Sequence, residues 1–280
     1  MSPDTQSIVC SPLEHAPLQW ARELLANGEA IELLTNPSLG LRFPIRDGIP
    51  TFVEAHQITG INGRFRRIYD DWAPFYDLLS RVGLYVLGVS ELKLRRDFVG
   101  SLDIKRGDRV LATSVGTGSD LPFLPPDCRF HGLDQSPEML RICQKKALKL
   151  GLSAELFVGQ AENLPFVDAS FDMVYQMGGI NFFGDQAMAI REMVRVARPG
   201  SKIVIMDETE KVARRLEHIP GIRDWFRHQR RPIVAPAFAQ HGEALSPAER
   251  GGVGVRRARR DRRALLVGRP GEPRRCQLRR

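Results

Sequence analysis

The chain has 280 residues, 42% of them hydrophobic, which suffices for one α/β domain with a buried core and a smaller appendage. It has no run of about 20 apolar residues and no signal-peptide pattern, so we expect a cytoplasmic protein without a membrane span. Its net charge of +8 suggests nucleic acid, but residues 212–280 hold 18 Lys and Arg against 6 Asp and Glu, whereas residues 1–211 are net acidic. The positive charge belongs to the tail, which disfavours a nucleic-acid partner.

The four cysteines contain no C-x-x-C pair, which excludes a four-thiolate zinc site made by this chain alone. A disulfide framework is not expected in a cytosolic chain of this size. We therefore expect reduced thiols, with Cys128 and Cys143 in the core, and no metal site.

Two segments precede the main α/β pattern. Residues 1–58 predict a small strand-rich module, because apolar residues alternate with arginines in "LGLRFPIRDGIPTFVE" and "RDGIP" has turn chemistry. Residues 59–103 predict a helical cover segment, with apolar residues at spacings of three and four and a break or helix start at Pro74.

Strand and helix patterns alternate from residue 104 to residue 211, which predicts a parallel sheet with crossover helices in a domain that we place at residues 104–235. Ser136 is suited to cap one helix, with Pro137 at its first position and Gly151 at its end. We place strands at about 109–114, 129–134, 154–158, 171–176 and 202–207, and helices at about 137–150 and 185–197.

Residues 236–280 form an atypical tail rich in Arg, Gly, Ala and Pro. Only "ALLVG" has the composition of a strand. The rest cannot bury much apolar area, so we expect a largely disordered or loosely attached segment.

The stretch "RVLATSVGTGSD" has the outline of a strand followed by a ligand-binding loop. Gly116 and Gly118 let the backbone approach a ligand, and Asp134 ends the next strand, where an acid accepts hydrogen bonds from a ribose. Later strands deliver residues 159–162 and 175–179 to the same carboxyl edge of the sheet, where ligands of open α/β folds bind. Together these features predict a nucleotide-like cofactor.

These segments resemble the class I S-adenosylmethionine-dependent methyltransferases, in particular the small-molecule type 11 group related to quinone-biosynthesis enzymes. The resemblance covers about residues 65–211 and rests on "VLATSVGTG", "GLDQSPEML", "GQAENLPF", "SFDMVY" and "ARPGSKIVIMDE", preceded by "YDDWAPFYD" in the family's Y-D-x-x-A-x-x-Y-D pattern. It implies a Rossmann-like, doubly wound, mostly parallel α/β sheet and S-adenosyl-L-methionine as the cofactor.

The resemblance also implies roles for particular residues. Gly116 and Gly118 would face the methionine part of the cofactor, Asp134 would hold the ribose hydroxyls, and Ala161 would offer its N–H to the adenine. The expected cofactor-binding residues are Ser114, Gly116, Gly118, Asp134, Gln135, Met139, Gln160, Ala161, Glu162 and Gln176. The expected substrate pocket contains Tyr69, Tyr76 and Asn181, with Glu208 as a further candidate, and no catalytic base is identified.

Three positions depart from the family pattern. Ala112 replaces an acid that contacts the cofactor's ammonium group, Ser114 replaces the first glycine, and Gln160 replaces the Asp that accepts from the adenine amino group. Losing a hydrogen bond to a charged group costs about 1.5–3 kcal/mol, so we expect weakened cofactor binding rather than none.

The end of the first segment is similar to the Trm112-like zinc-ribbon module that other methyltransferases carry as a partner or fusion. Such a module begins with C-x-x-C, but here Cys10 is followed by Leu13. We expect residues 1–58 to persist without zinc, as an interaction or lid module.

Structural roles compete with some of these functional ones. His131 fits a satisfied sheet residue better than a catalyst, Glu162 fits a solvated loop acid, and Asp172 fits a residue that stabilises the entry to its strand. The aromatic residues of the cover, Tyr76 among them, fit ordinary core packing as well as a lid over the cofactor.

The leading hypothesis is a methyltransferase for a small, apolar or aromatic organic acceptor, since the aromatic cover and "GGINFF" suggest an apolar pocket. One alternative is an rRNA or tRNA methyltransferase, which the acidic body disfavours. Another is a catalytically decayed or regulatory S-adenosylmethionine-binding protein, because the tail resembles a shifted reading frame and the hairpin that ends the family's sheet looks absent or poor. An exposed sheet edge would then favour a homodimer.

Overall fold

The computed structural model describes residues 1–207, apart from 25–27, 29, 55 and 87, and the backbone of three short strands further on. These are β10 (Ala237–Phe238), β11 (Ala244–Leu245) and β12 (Ala264–Val267). Glu208 and nearly all of the Arg-rich tail predicted for 236–280 lie outside the described residues.

The N-terminal segment is strand-rich, as predicted. After the single-turn helix α1 (Pro3–Gln6) come β1 (Gln19–Leu24), β2 (Ala30–Asn36), β3 (Leu41–Arg46) and β4 (Ile49–Pro50), which form an antiparallel sheet in chain order. Asp47 and Gly48 join the last two strands with φ values of 51° and 77°. Two successive positive φ angles are typical of the tight hairpin turn that Asp-Gly favours.

The cover segment consists of α2 (Gly60–Trp72), a 3-10 turn (Ala73–Phe75), α3 (Tyr76–Val86) and α4 (Glu91–Leu102). Pro74 lies in the 3-10 turn, so the predicted break between helices is confirmed. Ser90 caps α4 by accepting a hydrogen bond from the Lys93 N–H.

The main sheet contains five parallel strands, which are β5 (Arg109–Thr113), β6 (Arg129–Asp134), β7 (Ala154–Val158), β8 (Phe171–Met177) and β9 (Ala197–Met206). The order is β12-β9-β8-β5-β6-β7, with β12 antiparallel to β9. The predicted "ALLVG" strand is therefore β12, and it pairs with β9 at the edge where the sequence suggests an absent or poor hairpin. β9 starts earlier than predicted, because Ala197 pairs with Phe171 before a bulge.

Helices cover both faces of this sheet, which confirms the doubly wound α/β fold. α5 (Pro137–Leu150) has the predicted Ser136 cap and ends at Gly151 with φ 66°, and α6 (Gln186–Val196) follows β8. One apolar core joins α4 and α5 to the sheet, and a second joins α6 and the N-terminal module to the opposite face.

The N-terminal module also covers the edge of β7. Thr51 forms a parallel bridge with Val158, and the Phe52 N–H donates to the Val158 carbonyl at 2.8 Å. The module therefore lies beside the sheet and protects an edge strand that would otherwise expose unpaired backbone groups.

Several buried residues have the structural roles expected of them. His131 is 1% exposed and lies 3.0 Å from both the Thr5 hydroxyl and the Arg129 carbonyl, and burial lowers its pKa to about 4. Asp172, half-buried near the start of its own strand β8, instead accepts from the Arg109 N–H and so supports the start of the neighbouring strand β5. Cys128 and Cys143 are free and buried, as predicted. Among the described helices, none combines the length and hydrophobicity needed to cross a bilayer.

Candidate functional site

A cleft opens at the carboxyl end of the parallel strands and encloses about 790 Å³, including the solvent at its mouth. The chain leaves β5 towards β6 on one side and returns through β8 on the other. Loops diverge at such a switch point, which is where open α/β sheets bind ligands. The fold therefore creates the cleft at the edge that the sequence predicts.

The loop after β5 forms the floor of the cleft. Ser114 and Gly116 both line it and have left-handed φ values of 63° and 55°. The Gly116 N–H donates to Asp134 Oδ2 at 2.8 Å. This contact fixes the predicted glycine loop against the predicted acid, although the two residues are 18 positions apart.

Asp134 supplies a carboxylate at the centre of the cleft. Its second oxygen accepts from the Ser136 N–H at 2.9 Å. The pKa of Asp134 is raised from 3.8 to about 6, mainly by burial and also by the nearby Asp70, although backbone hydrogen bonds oppose the shift. Such a carboxylate can still accept hydrogen bonds on its remaining lone pairs.

The loop after β7 contributes unused hydrogen-bonding groups. Gln160, Ala161, Gln135 and Met139 all line the cleft. Within the described residues, neither the Ala161 N–H nor the Gln160 side-chain amide has a hydrogen-bond partner. One backbone donor and one amide, set beside apolar side chains, can recognise the edge of a nucleobase.

Aromatic rings from the cover and from the loop after β8 form the facing wall. Tyr69 and Tyr76 line the cleft with ring centroids 5.9 Å apart, and Tyr69 also meets Phe182 edge-to-face at 6.1 Å. Phe183 lines the same wall. The pocket placement expected for both tyrosines agrees with this geometry, and the wall suits a flat, apolar ligand.

Two aspartates hold the cover against the cleft. Asp70, next to Tyr69, accepts from the Ser136 hydroxyl at 2.5 Å. Asp77, next to Tyr76, accepts from the Thr117 hydroxyl at 2.5 Å. In the Y-D-x-x-A-x-x-Y-D pattern each tyrosine thus lines the cleft while the following aspartate binds the loops beneath it.

Glu162 is not the solvated loop acid of the competing interpretation, because it is only 8% exposed. Its Oε1 accepts from the Asn62 side-chain amide and from the Gly184 N–H, both at 2.9 Å. The Asn62 carbonyl oxygen accepts from the same N–H at 2.8 Å. Glu162 therefore lines the cleft and also joins α2 to the loop before α6.

Three predicted site residues do not line the cleft. A Cβ on Gly118 would lie 2.6 Å from Cys143 Sγ, so this glycine permits packing against α5 rather than contact with a ligand. Gln176 is fully buried, and with its amide oxygen turned towards the next loop it accepts from the Ile180 N–H at 2.8 Å. Asn181 lies beside the cleft, where its N–H donates to Asp207 at 3.1 Å.

The structure adds residues that the sequence did not identify. Arg95 of α4 lines the cleft, and its Nε and Nη1 donate to Glu91 at 2.8 Å and to Asp120 at 2.7 Å. Burial opposes the charge of Arg95, but the two carboxylates raise its pKa overall. Other additions are Asn62, Thr117, Ser119 and Asp120, whereas Met177, Phe182 and Phe183 belong to segments that the sequence had placed at this edge. Arg95 could not be singled out from the sequence, because its segment "ELKLRRDFV" contains several other charged residues.

No described residue of the N-terminal module lines the cleft. The lid role considered for residues 1–58 is therefore not what the structure shows, since the module contacts the edge and rear face of the sheet. In the described part of the chain, no three His, Cys, Asp or Glu side chains cluster as metal ligands.

The cleft as a whole fits a nucleoside with a charged substituent. It contains a carboxylate that can accept from vicinal hydroxyls, a backbone donor for a base, and a separate ion pair some distance away. These groups come from neighbouring strand ends rather than from one loop.

Comparison with known proteins agrees with this geometry. Residues 111–205 match a family model described as "Methyltransferase domain". The chain is 35% identical over 144 residues to a demethylmenaquinone methyltransferase of Thermus thermophilus, a match covering 50% of this chain and 64% of that protein. It is 29% identical over 182 residues to the demethylmenaquinone methyltransferase of Listeria monocytogenes, covering 63% and 73%.

A solved structure, a putative S-adenosyl-L-methionine-dependent methyltransferase from Methanococcus maripaludis, is also similar. Its TM-score is 0.46 at 19% identity, covering 56% of this chain and 75% of that one. The chain spans slightly less than two thirds of the length of the Thermus relative.

Proposed function

We propose that the protein is an S-adenosylmethionine-dependent methyltransferase acting on a small, apolar or aromatic acceptor, and the match of residues 111–205 to a methyltransferase domain supports this. One observation carries the proposal. The Asp134 carboxylate and the aromatic wall of Tyr69, Tyr76 and Phe182 face one cleft at the carboxyl edge of the sheet. Cofactor and acceptor can therefore meet there.

The residues present fit S-adenosylmethionine. Asp134 would hold the ribose hydroxyls, the Ala161 N–H and the Gln160 amide would meet the adenine, and Gly116 leaves the loop open, since nothing lies within 4 Å of a Cβ placed there. Ala112 is 1% exposed and lies in the core instead of the cleft. Its departure from the family pattern therefore removes a contact without blocking the site.

For the acceptor we propose a quinone with an unsubstituted ring position, as in demethylmenaquinone, because the sequence relatives bear that substrate's name. Tyr69, Tyr76, Phe182 and Phe183 offer the flat apolar surface that such a ring needs. The RNA alternative gains no support from the described residues, since residues 1–211 are net acidic.

When bound, the cofactor supplies a methyl group already activated on a sulfonium. The chain then has to align two reactants and exclude water, and such alignment is worth on the order of 7–11 kcal/mol. Here Asp70, Asp77 and Glu162 fix the cover on the cleft, so Tyr69 and Tyr76 have defined positions.

The proposal is tested by incubating the purified protein with methyl-labelled S-adenosylmethionine and short-chain demethylmenaquinone, then measuring labelled quinone by mass spectrometry. We expect a methylated quinone and no labelled tRNA or rRNA in parallel reactions. Labelled RNA without labelled quinone would support the RNA alternative. Cofactor binding without transfer to either would support the regulatory alternative. A cytoplasmic location and a homodimer stay predictions of the same proposal.

A further inference from the structure

Arg95 and Asp120 form a buried ion pair in the wall of the cleft. Their side chains are 13% and 9% exposed, and Arg95 Nη1 lies 2.7 Å from Asp120 Oδ1. Arg95 Nε also donates to Glu91, which lies in the first turn of the same helix. Two carboxylates around one guanidinium give the cluster a net charge of −1.

The pair keeps two hydrogen-bonding atoms unused. Within the described residues, neither Nη2 of Arg95 nor Oδ2 of Asp120 has a hydrogen-bond partner. Neither atom is fully buried, so both are open to the cleft that Arg95 and Asp120 line and can bind a ligand there. One free donor beside one free acceptor is the complement of a zwitterion, which carries a carboxylate and an ammonium on the same carbon.

The pair lies at the opposite end of the cleft from the proposed adenine contacts. Ala161 follows β7, whereas Met177, which lies 3.8 Å from Arg95, ends β8. The sheet order β8-β5-β6-β7 separates these strands by three intervals, about 14 Å at the usual strand spacing. Asp134 lies between them at the end of β6.

We propose that Arg95 and Asp120 hold the amino-acid end of S-adenosylmethionine, with Arg95 binding the carboxylate and Asp120 the ammonium. The pair would thereby replace the acid that is absent at Ala112. This inference rests on the proposed function and assigns one part of that site. It also explains the charge of the cluster, since a net −1 complements a cofactor whose sulfonium, ammonium and carboxylate sum to +1.

The competing explanation is that the Arg95–Asp120 ion pair only stabilises the fold. The affinities for two ligands distinguish these two roles. S-adenosylhomocysteine carries the amino-acid end, whereas 5′-methylthioadenosine has the same nucleoside and sulfur without it. Calorimetric titration of the full-length protein with both ligands measures the contribution of the amino-acid end. We expect wild type to bind S-adenosylhomocysteine at least about tenfold more tightly.

The variants are Asp120→Asn, Arg95→Gln and the charge-conserving Arg95→Lys. Asp120→Asn and Arg95→Gln should weaken S-adenosylhomocysteine binding about tenfold or more, with less than about a threefold change for 5′-methylthioadenosine, and Arg95→Lys should be intermediate. Arg195→Gln is the matched control, because Arg195 is 16% exposed and also pairs with two carboxylates but does not line the cleft. It should lower the melting temperature without changing the ratio of the two affinities.

Equal weakening of both ligands in folded variants, or no change in either, would overturn the assignment. So would a wild type that binds the two ligands equally well, although the proposed function would survive that result. A folded wild type that binds neither ligand would overturn the proposed function itself. If Arg95→Gln does not fold, Asp120→Asn decides, because Arg95 then keeps its ion pair with Glu91.

Discussion

The Asp77 carboxylate in α3 lies 2.5 Å from the hydroxyl of Thr117, the residue between the two glycines of the cofactor loop. Ser119 and Lys146 bind the same carboxylate at 3.0 and 2.5 Å. These hydrogen bonds lower the pKa of Asp77 although burial opposes them. The position of the cover helix and the conformation of the loop are therefore coupled.

Replacing Asp77→Asn should loosen the cover and weaken S-adenosylhomocysteine binding by about tenfold, because an ion pair and hydrogen bonds to a charged group are lost. Hydrogen exchange should rise across residues 60–86. Asp71→Asn is the control, since Asp71 is exposed and has no partner among the described residues. Unchanged exchange in the Asp77 variant would contradict the proposed coupling.

Gly118→Ala should destabilise the fold more than the same substitution at a left-handed glycine with free space around it. Its Cβ would lie 2.6 Å from Cys143 Sγ and 2.8 Å from Leu121 Cδ1, at a φ of 71°. Overpacking of this kind costs about 1–3 kcal/mol beyond the left-handed strain. Gly107→Ala measures the strain alone, because its φ is 80° and no atom lies within 4 Å. Urea unfolding that gives equal losses would refute the packing role.

Ser114→Gly should stabilise the protein by about 0.5–1 kcal/mol, because Ser114 adopts a φ of 63° that glycine accepts without strain. A Cβ on Gly179 would lie 2.9 Å from Ser114 Oγ. Gly179→Ala should therefore cost less in the Ser114→Gly background than in wild type, which a double-mutant cycle of unfolding free energies measures. Additive effects would show that the two residues do not crowd each other.

Cofactor binding should weaken in mild acid. Because the pKa of Asp134 lies at about 6, protonation removes the charged acceptor below that pH. S-adenosylhomocysteine affinity should fall by about tenfold between pH 7.5 and pH 5. Calorimetry across this range tests the expectation, and a pH-independent affinity in wild type would contradict it. Asp134→Asn should bind weakly at every pH.

The same shift affects folding in the opposite direction. A raised pKa means that Asp134 stabilises the fold below its ordinary value of 3.8, and that this contribution is lost as pH rises through about 6. His131 acts in reverse, since its pKa is lowered to about 4 and its contribution is lost as pH falls below 6.5. Binding and stability must therefore be measured separately across this range.

Local sequence patterns predicted most of the fold. Ser136, Pro137 and Gly151 fixed the bounds of α5, because caps and a left-handed glycine act within a few residues. The placement of Gly116 and Asp134 at one edge of the sheet followed from the order of strand ends, which parallel topology brings together, and the structure adds the hydrogen bond between them.

The sequence could not predict which side chains turn into the cleft. Gln176 and Gly118 lie in motifs that resemble the family, yet one supports a turn and the other permits helix packing. Arg95 was missed because its partner Asp120 is 25 residues away and only the fold brings them together. Such long-range pairs depend on packing geometry, which no spacing rule encodes.

The central claim is that the cleft binds S-adenosylmethionine through Asp134. Calorimetric titration of the purified protein with S-adenosylmethionine and S-adenosylhomocysteine tests it most directly, with Asp134→Asn as the site variant and Asp168→Asn as the exposed control. We expect micromolar binding by wild type and Asp168→Asn, and a loss of at least about tenfold in Asp134→Asn. A folded wild type that binds neither ligand, or an Asp134→Asn variant that binds as well as wild type, would contradict the claim.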